Sequence, residues 1–207
     1  MGIFDFLKSN TEIKGEIGYF GLTQWWLSGF NEQERNHILQ TFQPLGGSGE
    51  SLIKGEITST SQTAIGLLSA LAGWFNNEQD RTIAYRMLKK AEDLITDKTD
   101  ILDLHFLFSS EIEIYYRHRN RDRDALNEAI KACKQQIKIA PQAASAFKKE
   151  YKDSPLPTHK GYEQLAIIEE KEKNFNSVID LAKKAMAQGW NGDWEKRIER
   201  CTKKANQ

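Results

Sequence analysis

Through the last third of the chain, apolar residues recur at steps of three and four, the spacing that brings side chains to one face of an α-helix. Between Thr158 and Trp190, the residues Tyr162, Leu165 and Ala166 share such a face, Asn174 interrupts it, and Val178, Ile179, Ala182, Ala185 and Met186 resume it. Gly189 follows, and a glycine just past the last periodic residue commonly closes a helix. The segment predicts two helices joined by a short turn. The same pattern stands upstream: Leu68, Leu71, Ala72 and Phe75, a polar turn at Asn76 to Asp80, then Ala84, Leu88 and Ala91. Ile101 to Arg119 predicts a longer helix, with His105, Phe108, Ser109 and Ile112 on one face. Its partner runs over Arg123 to Ile139 through Leu126, Ala129, Ile130, Cys133 and Ile137. Pro141 is expected to end that partner, because proline lacks an N–H and crowds the preceding turn. Ala143 to Tyr151 can be helical again, whereas Ser154 to Pro157 cannot. Asp193 reads as the N-cap of a closing helix with Trp194, Ile198 and Cys201 inward and a basic outer face.

The N-terminal part is different in character. Gly2 to Lys8 can form a turn of helix laid on its own domain, or a short grip on a membrane or partner. Gly15 to Phe30 holds a dense aromatic cluster that includes the neighbours Trp25 and Trp26. Neighbours on a helix diverge by about 100°, so only one of the two can face a given core. The other meets a second helix of the chain or another subunit, which makes Trp25 and Trp26 candidate interface anchors. Asn31 followed by Glu34 has the form of a capping box and starts a helix that ends before Pro44. Glu16 to Phe42 is thus expected to be an antiparallel helix pair. Leu45 to Thr63 is rich in Gly, Ser and Thr and reads as a surface linker.

The hairpin at Thr158 to Trp190 resembles the tetratricopeptide repeat, with Tyr162, Leu165, Ala166, Asn174, Phe175, Val178 and Ala185 at the family's characteristic places. Val178 replaces a small residue there, and Trp190 stands where the family usually has proline. The resemblance implies an all-α fold: a right-handed stack of antiparallel helix pairs, a TPR-like α-solenoid, preceded by a non-repeat N-terminal helix pair. The expected organisation is a helical segment over 1–44, a linker over 45–63, and a repeat domain over 64–207 closed by its last helix. It further implies a non-catalytic interaction module, an adaptor or regulatory scaffold, whose first helices line a concave groove for a peptide or helix of a partner protein. The groove positions carried over are Ser69 and Gly73, then Asp103, Phe106, Ser110 and Glu113, then Lys160, Glu163, Ile167 and Glu170. Acids dominate that set, which suits a basic or amphipathic ligand.

Composition narrows the classes. The 207 residues carry 29 basic and 29 acidic side chains, so no global field draws the chain to nucleic acid or an anionic membrane. No apolar run approaches the roughly 20 residues of a membrane span, and no signal-peptide pattern is visible. Cytoplasm is the default expectation, and homo-oligomerisation stays open.

Candidate chemistry is sparse. Cys133 and Cys201 lack metal-ligand spacing, and His37, His105, His118 and His159 lie far apart, so neither a metal nor a cofactor is expected. Arg117, Arg119, Arg121 and Arg123 could contact an anion, although Asp122 and Asp124 interrupt them and favour local ion pairs. Together with the glycines between Gly46 and Gly55 they support the competing reading, an accessory or catalytic subunit with a phosphate- or nucleotide-handling site. No Gly-Lys-Ser/Thr triplet stands there.

Overall fold

Helix dominates the chain, as the three- and four-residue periodicity requires. The structure is a computed structural model that describes residues 13–152 and 154–206. The expectation for Gly2 to Lys8 lies outside them. Two compact units, Met1–Ala64 and Ile65–Gln207, divide the chain.

In the second unit the periodic segments become α4 (Ala64–Trp74), α5 (Arg81–Asp93), α6 (Ile101–His118), α7 (Ala125–Glu150), α8 (Lys160–Lys171), α9 (Phe175–Gln188) and α10 (Trp194–Ala205). Leu71, Phe108 and Leu165, each in the middle of a predicted stripe, are all buried. Consecutive helices from α5 to α10 pack on one another, and α6 also touches α8. Gly189 closes α9 with φ +85°, the left-handed geometry a C-terminal glycine supplies without strain.

Two expectations are corrected here. Pro141 does not end its helix, for α7 continues through it to Glu150. Pro141 itself is exposed, while Ala140, Ala143, Ala144 and Phe147 carry the buried stripe onward. A proline inside a helix costs about 3 kcal/mol. Burial of one large apolar side chain returns roughly 1.5–3 kcal/mol, so a continued stripe offsets the loss. Secondly, a short parallel ladder interrupts the all-α picture: β1 (Leu156–Thr158) pairs with β2 (Trp190–Asn191), with Leu156 opposite Trp190. Both of those side chains are buried in one cluster with Phe147, Tyr162 and Trp194. Asp193 occupies the N-cap position of α10 as expected, although its side chain makes no cap bond.

Among the described residues the first unit holds three short helices where a pair was expected over Glu16 to Phe42: α1 (Gly15–Tyr19), α2 (Thr23–Gly29) and α3 (Glu32–Thr41). The capping box of α3 is present, with Asn31 Oδ1 accepting from Glu34 N and Glu34 Oε2 accepting from Asn31 N, both at 2.9 Å. The expected linker departs furthest. Its first half forms a 3₁₀ turn, Gly49–Leu52, that buries Leu52 completely. The amides of Lys14 and Gly15 donate to the carbonyls of Ile53 (3.1 Å) and Gly55 (2.9 Å). A Cβ at Gly49 would strike the Leu39 carbonyl, and one at Gly15 would strike that of Ser51, so two glycines permit this docking. Residues 49–55 are therefore docked on the unit through Gly49, Leu52 and the Ile53 and Gly55 carbonyls, while Leu45, Gly46 and Gly47 are exposed. Among the described residues no helix is long and apolar enough to cross a membrane.

Candidate functional site

The stripe Asp103, Phe106, Ser110 and Glu113 lies on α6, and Lys160, Glu163, Ile167 and Glu170 lie on α8, two helices that touch. A direct link crosses between them where Lys171 Nζ donates to Tyr116 Oη at 2.9 Å. Phe106 is the exposed aromatic of this set, 51% accessible and resting edge-on against His105 and Phe147. Glu113 is exposed, while Asp103, Ser110, Lys160, Glu163 and Ile167 are half-buried. On α4, Gly73 is open to solvent, but Ser69 is not a groove residue. It is buried, and its hydroxyl donates to the Ile65 carbonyl one turn back at 2.8 Å.

Glu170 also departs from its expected part as a free acid. Arg200 reaches its two oxygens through Nε (3.0 Å) and Nη2 (2.9 Å), Lys204 Nζ lies 2.9 Å away, and Arg197 Nη1 stands at 3.7 Å. The forked Arg200 hydrogen bonds, with Lys204 behind them, hold the carboxyl down at about 2. The α10 end of the α8 face is therefore basic, contrary to the acidic groove the sequence suggested.

Next to Phe106 the fold gathers groups that lie far apart in sequence. His105 of α6 stacks on Trp190 of β2 at 5.6 Å, and His159 meets both of them, at 5.2 Å from His105 and 4.6 Å from Trp190. His159 caps α8, its Nδ1 accepting from Tyr162 N at 3.2 Å, which puts the ring proton on Nε2. Gln136, fully buried on α7, ties the neighbours together: its Nε2 donates to the His105 carbonyl (2.8 Å) and its Oε1 accepts from Gly161 N (2.6 Å). Burial pushes His105 down to about 4, and burial with His105 alongside pushes His159 down to about 3. These are neutral, packed rings at physiological pH. Sequence reasoning missed this cluster because contact between residues 105, 136, 159 and 190 is made only by the tertiary fold, and no spacing rule encodes it.

Glu111 is a second buried polar group. Only 2% exposed, with Oε1 lacking a hydrogen-bond partner, it is pushed up to about 8 by burial, with Glu92 of α5 and Glu128 of α7 adding repulsion against the pull of Lys131 and Lys89. The folded protein thus keeps a proton that the unfolded chain releases above its ordinary carboxylate range, and stability falls as pH rises through that window. Glu111→Gln should remove this slope. Relative to wild type, urea unfolding should show it gaining roughly 2 kcal/mol between pH 6 and pH 8. Parallel curves for the two proteins across that interval would contradict the assignment.

The remaining candidates are engaged internally. Arg117 donates to the Asn76 carbonyl, Arg119 donates to the Tyr116 carbonyl while lying 4.1 Å over its ring, and Arg121 pairs with Glu78 at 3.3 Å. Asp122 accepts from Arg81 (3.0 Å) and from the Tyr85 hydroxyl (2.7 Å). Arg123 is exposed. The cluster is a cross-braced hairpin loop, and its arginines do not converge on a common anion position. Trp26 is not an interface anchor: it is 2% exposed, inside its own unit, with Phe30 at 5.6 Å. Trp25 is half-buried and meets Phe30 edge-on at 5.2 Å. Both cysteines are free and buried, and burial pushes the Cys133 thiol up to about 12, which makes it a poor nucleophile. Among the described residues no group of three or more His, Cys, Asp or Glu could hold a metal ion.

Taken together, these features define a mostly helical protein with one two-stranded ladder. The chain matches no family model, no curated protein sequence and no solved structure.

Proposed function

We propose that the helix pairs of the second unit are piled in tetratricopeptide-like fashion and that the protein is a non-catalytic interaction module. It takes a peptide or a helix of another protein along the face shared by α6 and α8. The observation that carries this reading is Phe106, a large aromatic left half in solvent at the centre of a stripe whose other members are polar and mostly half-buried. Aromatic side chains that are rigid, partly exposed and ringed by polar groups are the usual anchors of protein interfaces. The internally braced arginines and the inert thiols add nothing to the competing enzymatic reading.

Affinity capture from native cell extract, with mass spectrometry of what is retained, tests the proposal. Replacing Phe106 and Glu163 together by alanine should abolish capture of the specific partner while leaving the helical circular dichroism unchanged. Undiminished capture by the double variant would remove the α6–α8 face from consideration.

A further inference from the structure

At the α10 end of this face lies a concavity of about 400 Å³ lined by Ile167, Glu170, Lys171, Arg197, Arg200 and Lys204. Four cations surround a single carboxylate, a surplus of three positive charges in a chain whose net charge is zero. Glu170 orders the site without exhausting it. An arginine has five N–H donors and a lysine three. Arg200 places two of them on Glu170, and Lys204 places one. Arg197 stands at 3.7 Å, beyond hydrogen-bond range of the same carboxylate. Aromatic rings hold two of the cations in place: Lys171 lies 5.5 Å from the centre of Tyr116, and Lys204 lies 5.8 Å from that of Phe175. The arrangement is a set of pre-positioned donors around an apolar residue, Ile167, which was itself a predicted groove position.

We infer that this concavity receives an acidic segment of a partner protein, with carboxylates on Arg197, Arg200, Lys204 and Lys171 and an adjacent apolar side chain over Ile167. The inference rests on reading the α6–α8 face as a binding groove and assigns the chemistry of its α10 end. A peptide fits better than a nucleic acid. The floor is an aliphatic side chain, no aromatic ring lines the concavity for base stacking, and the surplus charge is local. Guanidinium groups that are already fixed lose little further freedom on taking up a carboxylate, so the site is pre-organised for it.

The test uses the full chain and a fluorescein-labelled peptide, Glu-Leu-Glu-Glu-Leu-Glu, followed by anisotropy at 50 and 200 mM salt, with a single-stranded hexanucleotide and a Lys-for-Glu peptide as comparisons. The acidic peptide should bind saturably and more weakly at the higher salt. Lys171→Glu with Lys204→Glu should weaken it at least tenfold with unchanged circular dichroism. Isotope-labelled protein should show amide shifts at Ile167, Lys171 and Arg200. Absence of saturable peptide binding, preference for the oligonucleotide, or indifference to the charge-reversing pair would each overturn the inference. The two readings fail separately. Partner capture that depends on Phe106 but not on Lys171 and Lys204 sinks only the acidic end-site. Peptide binding that needs the lysines, beside partner capture indifferent to Phe106, sinks only the groove.

Discussion

Acidification from pH 6.5 to pH 4 should destabilise the second unit through His105 and His159, with an average loss of about 2 kcal/mol per pH unit for the pair. Both imidazoles are held well below their ordinary value, to about 4 and about 3. Within that window the unfolded chain binds two protons that the folded protein excludes, so stability falls as pH falls. Folded domains are stable by only 5–15 kcal/mol, which makes this term large enough to unfold the unit. Glu111 acts in the opposite sense and returns about 1.4 kcal/mol per unit down to its ordinary carboxylate range, so the wild-type slope is a partial cancellation. Glu111→Gln removes that opposition and leaves the histidines, to which His118, also held down by burial, adds in the same sense. In that background, His159→Asn keeps a side-chain acceptor at the α8 N-cap and removes one titrating ring. Denaturant unfolding from pH 6.5 to pH 4 should show its slope reduced by about 1.4 kcal/mol per unit. An unaltered slope would mean that His159 is not the excluded proton site. Glu170, held at about 2, begins to lose its contribution as pH falls past its ordinary carboxylate range, but does so equally in both variants and cancels in the comparison of slopes.

Gly161→Val is expected to be the most damaging single substitution, costing at least about 4 kcal/mol. A Cβ at this position would stand 2.8 Å from Gln136 Oε1 and 2.9 Å from the Cys133 carbonyl. The second neighbour is backbone of α7, so relief requires α7 and α8 to separate. Separation breaks the hydrogen bond from the Gly161 amide to Gln136 and leaves that amide, in the first turn of α8, buried without a partner. Overpacking costs roughly 1–3 kcal/mol, and each buried group left unpaired costs a similar amount. Gln136→Leu separates the two contributions, since it removes the hydrogen bonds without pressing on backbone. Thermal unfolding should place Gln136→Leu between wild type and Gly161→Val. Near-wild-type stability of Gly161→Val would show that α7 and α8 do not approach as closely as described.

The groove reading illustrates which parts of a site a sequence carries. The family resemblance makes Phe106 a groove position, and it is exposed on α6. The same resemblance makes Ser69 a groove position, yet it is buried with its hydroxyl closed into its own helix, because burial depends on what lies opposite. Glu170 is a groove acid only by that resemblance. Its three cationic neighbours come from α10, about thirty residues further along, and they invert the charge of that end of the face.

Local physics therefore explains the helices: the apolar stripes of α4 to α10, the Asn31 capping box and the Gly189 terminus all follow from residues within a few positions of one another. Long-range contact decided the rest. Pro141 is tolerated because the far side of its helix is buried, and Leu52 turns an apparent linker into core. Leu156 and Trp190 make a ladder too short to leave a periodic trace, and Gln136, His105 and His159 meet only when three helices and a strand are already in place. The physical reason is common to all of them. Backbone preference is written in neighbours, whereas burial, and with it the charge and protonation of a side chain, is set by distant segments that the chain brings together when it folds.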